Sequence, residues 1–348
     1  MFPSSLPEPR TPDPMAAPPL RWGILGTGWI AARFAASLLA HTRQQVYAVG
    51  SRSLATAESF VGALEGPVGL EREPAAYGSY AALVADPAVD VVYVATPHHL
   101  HHEHARLALE AGKPVVVEKP MGLDADQCRE LAGLAADRGL FLMEALWTLF
   151  LPKFDVVRQL LESGALGTVR TVLADLGEHF EPDHRILRAD LSGGPMYDLG
   201  TYPVALATWV LGEPAEVAAV GTVAPADLSP SRVDAQTAIV LRTASGGVAA
   251  LHTSLLGTSP TAAAIVGSQA TLTFDGPFYQ PGGFTLATHD GRVLRYDEPR
   301  IGHAGLHWEA AEAARRISAG DTESPLRPLA DTIATMRVMD LVAARLAR

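Results

Sequence analysis

One cysteine, Cys128, occurs in 348 residues. A single thiol can build neither an internal disulfide nor a cysteine-based zinc site, and the count suits a reducing cytoplasm. Lysine is almost as scarce: Lys113, Lys119 and Lys153 stand beside 24 arginines. Positive charge is short overall, with 27 Lys+Arg against 38 Asp+Glu and a formal net charge of −11. That balance argues against nucleic acid or an anionic membrane as the main partner, since both need a basic footprint. No apolar run reaches the ~18–20 residues of a membrane-spanning helix. What is present is ample core material, 48% apolar against 19% charged residues, which excludes global disorder. The length sets an expectation of two domains at ~100–200 residues each. A soluble, acidic, intracellular protein is expected.

Residues 1–20 are rich in proline, which supplies no backbone donor, and read as a disordered extension without the basic start and apolar centre of a secretory signal. Met15 is an alternative start that would leave five residues between it and Arg21. From Trp22 the pattern becomes an alternation of buried strands and helices: strands at 22–26, 46–50, 89–95, 114–120 and 140–145, and helices at 30–40, 54–64, 80–85, 101–111 and 124–138. That rhythm predicts a doubly wound parallel sheet over 21–145. After a helix at 153–163 the period changes to two, in segments 168–176, 215–223, 235–243, 247–256, 263–274 and 291–296. Helices return at 306–319 and 329–346. A second, α+β domain with a large, mostly antiparallel, open-faced sheet is predicted over 146–348.

Gly26-Thr27-Gly28-Trp29-Ile30-Ala31 is G-x-G-x-x-A, placed straight after a strand and opening a helix. The first glycine allows a tight turn, the second lets backbone approach a pyrophosphate, and Ala31 permits close helix–strand packing. The helix N-terminus then offers N–H groups and a favourable dipole to phosphate. An NAD site usually carries Asp or Glu ~20 residues further on, for the ribose 2′-hydroxyl. Here nothing acidic lies between Gly28 and Glu58, and the second strand runs into Ser51-Arg52-Ser53. A hydroxyl and a guanidinium suit a 2′-phosphate, so NADP is favoured over NAD unless Arg52 is an ordinary surface residue. Five histidines, His98, His99, His101, His102 and His104, follow Thr96-Pro97 at the carboxyl edge of the sheet. His98 and His102 are four apart, a spacing open to a metal, to a place beside a nicotinamide, or to a solvated helix start. No further ligand is evident, and no metal is expected.

Further motifs follow: Ala111-Gly112-Lys113-Pro114, Val117-Glu118-Lys119-Pro120, Gly193-Gly194-Pro195-Met196-Tyr197-Asp198-Leu199-Gly200-Thr201-Tyr202-Pro203, and Met336-Arg337-Val338-Met339-Asp340. Together with G-x-G-x-x-A and Thr96-Pro97-His98, this order resembles the Gfo/Idh/MocA oxidoreductase family from about Arg21 to the C-terminus. Met143–Pro152 is similar to the branch containing dimeric dihydrodiol dehydrogenase and NADP-dependent D-xylose dehydrogenase. The resemblance implies a Rossmann domain followed by an open-faced sheet domain, with catalysis between them. It makes Lys119 catalytic, implies a cis bond before Pro120, and assigns Asp198 and Tyr202 to the reaction. By the same likeness Thr96, Pro97, His98, His102, Glu118 and Lys119 join Gly26, Thr27, Gly28, Trp29, Ile30, Ser51 and Arg52 in holding the cofactor. Two departures stand out. Leu149 replaces the arginine that the branch carries after Trp147-Thr148, and Pro195 replaces a small residue in the glycine turn.

Chemistry accords with these assignments. Lysine shifts its pKa readily when buried, whereas arginine stays protonated. Asp198 and Tyr202 are four apart and would share a helix face. A phenol needs a nearby cation to act as a base near neutrality, and Lys119 is the candidate supplier. Trp147 would stack on a sugar or diol face, or else be a buried tryptophan at the domain junction. The reading is a dehydrogenase moving hydride between nicotinamide and a carbinol carbon of a sugar or cyclic diol, with Trp147, Lys119, Asp198 and Tyr202 on the substrate. A nucleotide-retaining glycoside hydrolase and a non-catalytic NADP-binding regulator are the alternatives. A homodimer or homotetramer through the open sheet is expected, because an uncovered amphipathic face calls for a partner.

Overall fold

The computed structural model describes residues 2–64, 73–182, 184–229 and 232–346. The chain divides into two compact units, Pro12–Phe150 with Ile301–Thr332, and Met1–Thr11 with Leu151–Arg300 and Ile333–Arg348. The first contains β1 (Arg21–Leu25), α1 (Trp29–His41), β2 (Gln45–Gly50), α2 (Leu54–Gly62), β3 (Ala75–Tyr77), α3 (Tyr80–Val84), β4 (Val91–Val94), α4 (His101–Glu110), β5 (Val115–Glu118), α5 (Ala125–Arg138) and β6 (Leu142–Ala145). The strands form one sheet in the order β3-β2-β1-β4-β5-β6, every pairing parallel. This is the dinucleotide-binding arrangement, with its order reversal between β1 and β4. Strands β4, β5 and β6 are buried along their whole length, as strands covered on both faces must be. Ser53 and Asp124 cap α2 and α5, accepting from the Thr56 and Gln127 amides at 3.4 and 2.8 Å.

The second unit starts with α6 (Pro152–Glu162) and β7 (Val169–Gly177), and continues through α7 (Thr201–Leu211), β8 (Pro214–Val223), β9 (Asp234–Thr243), β10 (Val248–Ser254), β11 (Ala263–Gly267), β12 (Ala270–Phe274), β13 (Phe284–Thr288) and β14 (Val293–Tyr296). These strands order as β14-β13-β12-β11-β7-β10-β9-β8. All pairings are antiparallel except β7 with β10. Burial alternates residue by residue on β9, where Ile239 and Leu241 are buried and Ala238, Val240 and Arg242 are exposed. Segment 263–274, expected as one strand, is a hairpin that folds back at Ser268-Gln269. Helix α7 is buried at every position from Thr201 to Thr208, so it has no polar stripe by which to read it.

Two expectations about boundaries give way. Helix α8 (His307–Ala319) belongs to the first unit, and α9 (Leu329–Leu346) passes from the first unit into the second. The cause lies on α8, where Ala310, Ala311, Ala313 and Ala314 are all 0% exposed. Small side chains let it lie close against α1 and the 14–16 turn. Nor is the proline-rich start a free extension. Ala17 packs with Ala311 and Ala314, Arg315 donates to the Pro12 carbonyl at 2.9 Å, Arg43 to that of Met15 at 2.8 Å and Gln44 to that of Pro18 at 2.7 Å. In the other unit the Arg10 guanidinium bonds Asp155 at 3.0 Å. Proline removes donors but leaves acceptors, and side-chain donors of the domain use them.

A buried ion pair closes the first unit. Arg327 and Glu144 are each 1% exposed, and meet at 2.7 Å. The same carboxylate accepts from the Thr332 hydroxyl at 3.1 Å and the Met121 amide at 3.1 Å. Thus the returning segment is fastened to β6 and to the turn after Lys119. Among the described residues no helix is long and apolar enough to cross a membrane.

Candidate active site

The glycine turn between β1 and α1 has the geometry a pyrophosphate needs. Gly26 has φ +107°, and a Cβ there would stand 2.6 Å from the Ala95 carbonyl oxygen, so only glycine fits. A Cβ on Gly28 would meet nothing within 4 Å, which leaves its side open to a ligand. Gly28 is also the N-cap of α1, with no side chain capping the helix. The first-turn amides are therefore left without a side-chain cap, as an anion site requires. Ala31 is 0% exposed, and Thr27, Trp29 and Ile30 line the turn's outer side. Ser51 is buried and Arg52 exposed at the end of β2, and the Arg52 charge reaches the half-buried Tyr80 ring on α3.

Lys119 follows β5 at the sheet's carboxyl edge, half-buried, in a cis peptide with Pro120. Glu118 turns inward, accepting from Tyr93 Oη and, at 3.1 Å, from the Lys119 amide. The histidine cluster serves this edge through a member that spacing did not single out. His101 is 1% exposed, with Nε2 2.6 Å from the Thr96 carbonyl and Nδ1 2.7 Å from that of Pro120. Carbonyls only accept, so both bonds form only when both ring nitrogens carry protons. His101 thus ties the end of β4 to the residue after Lys119. His104 bonds the Thr96 hydroxyl at 3.0 Å. His98 is buried at the start of this segment, while Pro97 is exposed. His102 points elsewhere, to Glu130 on α5 at 3.1 Å, so its expected place on the cofactor is not supported. It does not converge with His98 on a metal, and among the described residues no three metal-ligating side chains gather.

Trp147 lies in the 147–150 turn, 2% exposed, its ring stacked on His303 at 5.2 Å. Buried against that ring, it presents no open face, so its expected place on a sugar is not supported. The exposed tryptophan is Trp29, edge-on to the same His303 at 4.7 Å. Burial, with help from the Arg33 and Lys119 charges, holds the His303 ring down to about 4, hence neutral. Leu149 is buried too, in surroundings that take leucine.

In the second unit, Asp198 sits in a π-helical turn, Met196–Gly200, that runs directly into α7. Arg185 pairs with Asp198 at 2.9 Å. Tyr202, 7% exposed, stacks on Tyr279 with centroids 4.5 Å apart. Tyr279 donates to Glu178 at 3.1 Å and accepts from Gln280 at 3.0 Å. Burial and the Glu178 charge push the Tyr279 phenol upward, so Tyr279 remains a neutral donor. Asp198 and Tyr202 thus share one neighbourhood with Arg185, Glu178 and Tyr279, three residues that motif reading missed. The sequence signal for Glu178 and Arg185 was the density of polar side chains between Glu178 and Arg188, and Tyr279 carried none. The glycine turn ahead of Asp198 is held by Asp234, which accepts from the Met196 amide at 3.3 Å. A Cβ on Gly194, at φ +102°, would collide with that carboxylate.

Comparison with known proteins adds likenesses of three kinds, to family models, to individual proteins and to a solved structure. The model of the Gfo/Idh/MocA oxidoreductase family, NAD-binding Rossmann fold, matches residues 20–146, and that of the family's C-terminal domain matches residues 154–273. The D-xylose 1-dehydrogenase (NADP(+)) of Hypocrea jecorina is 36% identical, covering 92% of this chain and 90% of that one. The human trans-1,2-dihydrobenzene-1,2-diol dehydrogenase is 31% identical over 90% of this chain and 92% of its own. Among solved structures, the 3-ketoreductase KijD10 of Actinomadura kijaniata, in complex with NADP and TDP-benzene, superposes with a TM-score of 0.79 at 27% identity. It covers 94% of this chain and 98% of its own.

The Asp234 carboxyl gives a direct test of the second cluster. Burial raises it from 3.8 to about 6, so the folded state favours the protonated form. Its contribution to stability is present below the unfolded value and is lost as pH rises through about 6. At ~1.4 kcal/mol per pKa unit this amounts to about 3 kcal/mol. Asp234→Asn should remove that dependence, read by urea unfolding of both proteins across the interval. Parallel curves for the two would contradict the assignment.

Proposed function

The chain belongs to the Gfo/Idh/MocA oxidoreductase family, and from that membership we propose that it is an NADP-dependent dehydrogenase of a sugar or cyclic diol. The relatives named for D-xylose and for dihydrobenzene-diol support the substrate class, and Ser51-Arg52 with no acidic residue at the end of β2 supports NADP. The observation that carries the reading is Lys119 at the carboxyl end of β5. The chain's other two lysines have structural posts. Lys113 donates to the Asp86 and Val89 carbonyls at 2.6 and 2.8 Å. Lys153 is 0% exposed and bonds the Gln280 carbonyl, its pKa lowered to about 8 by burial.

The dinucleotide, when bound, supplies the hydride acceptor or donor. The amides at Gly28 and the first turn of α1 hold its pyrophosphate, Ser51 and Arg52 its 2′-phosphate, and the Thr96–His98 edge with Glu118 its nicotinamide half. Tyr202 takes or gives the proton of the substrate hydroxyl. Lys119 supplies the positive charge that lets a phenol of ordinary pKa ~10 work near neutrality. Asp198, itself neutralised by Arg185, orients the phenol. Proton transfer of this kind is worth ~10²–10⁴ in rate. The single cysteine, Cys128, is buried, in keeping with a cytoplasmic enzyme.

A second copy of the chain covers the open sheet face in this proposal. Leu173, Ala250, Val240 and Ala218 pair across β7, β10, β9 and β8 in one exposed apolar row, a pattern that calls for burial.

Lys119→Met should lower turnover on an authentic sugar or diol by at least ~10²-fold while NADPH still binds. Near-full turnover in that variant would refute the catalytic assignment. Val240→Asp should convert a dimeric or larger wild-type species to monomer in analytical ultracentrifugation. A wild type that already sediments as a monomer would contradict the interface.

A further inference from the structure

The first unit holds a carboxyl that the chemistry above leaves unused. Glu309, in the first turn of α8, is 0% exposed, and neither of its oxygens has a hydrogen-bond partner. Burying a carboxyl in this way costs far more than burying an apolar side chain, and the cost falls on the charged form. Among the described residues, none donates a hydrogen bond to it. Helix α8 packs against α1, the 14–16 turn, the 147–150 turn and the 302–306 turn. Those elements bring Arg33, His41, Asp13 and His303, and α8 itself brings His307, Glu312, Arg315 and Arg316. Among the described residues, the charge that bears on Glu309 is that of Glu118 at the end of β5, a second carboxyl.

Glu118 is not bare in the same way, since Tyr93 Oη and the Lys119 amide donate to it. Two neighbouring carboxyls in a dry interior do not both ionise, and the one with donors keeps the charge. Glu118 is therefore the carboxylate. Glu309 keeps its proton, because burial and the Glu118 charge both drive its pKa well above the ordinary carboxyl range.

We propose that Glu309 sets the protein's preference between the oxidised and reduced forms of its dinucleotide. This rests on the reading that NADP binds with its nicotinamide at the carboxyl edge of β4 and β5, where Glu118 ends its strand. The oxidised ring carries a positive charge that the reduced ring lacks. A positive charge at that edge offsets Glu118 and favours the carboxylate form of Glu309, which then releases its proton to solvent. Linkage is reciprocal. Rising pH strengthens binding of NADP⁺ relative to NADPH, by up to about tenfold per pH unit across the interval in which Glu309 titrates. Below that interval Glu309 is neutral with either form, and the ratio is flat.

The test measures dissociation constants of NADP⁺ and NADPH by fluorescence and calorimetry, from mildly acidic to alkaline pH, on wild type, Glu309→Gln and Glu309→Leu. The NADPH-to-NADP⁺ ratio of dissociation constants should climb with pH in the wild type and stay flat in both variants. Glu309→Leu should melt no lower than wild type, because a neutral carboxyl without a partner contributes nothing that leucine removes. A flat wild-type ratio, or an equally steep ratio in the variants, overturns the proposal and leaves the dinucleotide reading intact. Failure of both dinucleotides to bind overturns the two together. Should the variants misfold, calorimetry of the wild type in buffers of different ionisation enthalpy decides. More protons must leave with NADP⁺ than with NADPH, and equal release refutes the role of Glu309.

Discussion

The turn that carries Lys119 is held by buried polar groups rather than by packing alone, and the first unit is arranged around that constraint. On one side His101 spans the Thr96 and Pro120 carbonyls. On the other, Glu144 takes the Met121 amide and faces Arg327. Both members of the ion pair lie in the interior, where removing one partner costs about 3–5 kcal/mol because the other charge is left uncompensated. That dependence explains why the chain returns to the first unit after residue 300. The segment that supplies Arg327 and Thr332 completes the shell around the lysine, and α8 comes with it. It also accounts for a histidine kept on α4 at a place where both its nitrogens meet acceptors.

The second unit solves a parallel problem with backbone rather than charge. A tight glycine turn at Gly193-Gly194 feeds a π-helical turn, and the Asp234 carboxyl occupies the space a side chain at Gly194 would need. The π turn delivers Asp198 and Tyr202 beside Arg185 and Tyr279. A turn of this kind is an irregularity that an ordinary α-helix would avoid, and such turns are frequent at functional sites. In both units, then, the residues with proposed chemical roles stand at places where regular structure ends and polar groups take over.

Much of this was legible in the amino acids. Strand–helix alternation and the G-x-G-x-x-A turn need only local sequence, so the parallel sheet and its glycine turn could be read directly, and α9 falls where its periodicity put it. The E-K-P and G-G-x-x-x-D-x-G stretches pointed to Lys119, Asp198 and Tyr202, to which the proposal gives the chemistry, though not to their neighbours. What escaped depends on contacts between distant segments. Spacing favoured His98 and His102, whereas the distant Pro120 carbonyl is what gives His101 its task. Proline density suggested a loose start, because sequence shows missing donors and not the arginines that use the remaining acceptors. Ser268-Gln269 lacks the glycine or asparagine that usually marks a hairpin, so β11 and β12 read as one strand. Glu309 carried no signal, since a glutamate in the first turn of a helix ordinarily faces water.

The central claim is that the first unit is an NADP site whose selectivity resides at the end of β2. Fluorescence titration with NADPH and NADH, on wild type and on Arg52→Ala, tests it most directly. The account predicts tight NADPH binding, weak NADH binding, and loss of that preference by at least about tenfold in the variant, as befits a lost guanidinium–phosphate contact. Equal affinity for both cofactors, unchanged by the substitution, would contradict it.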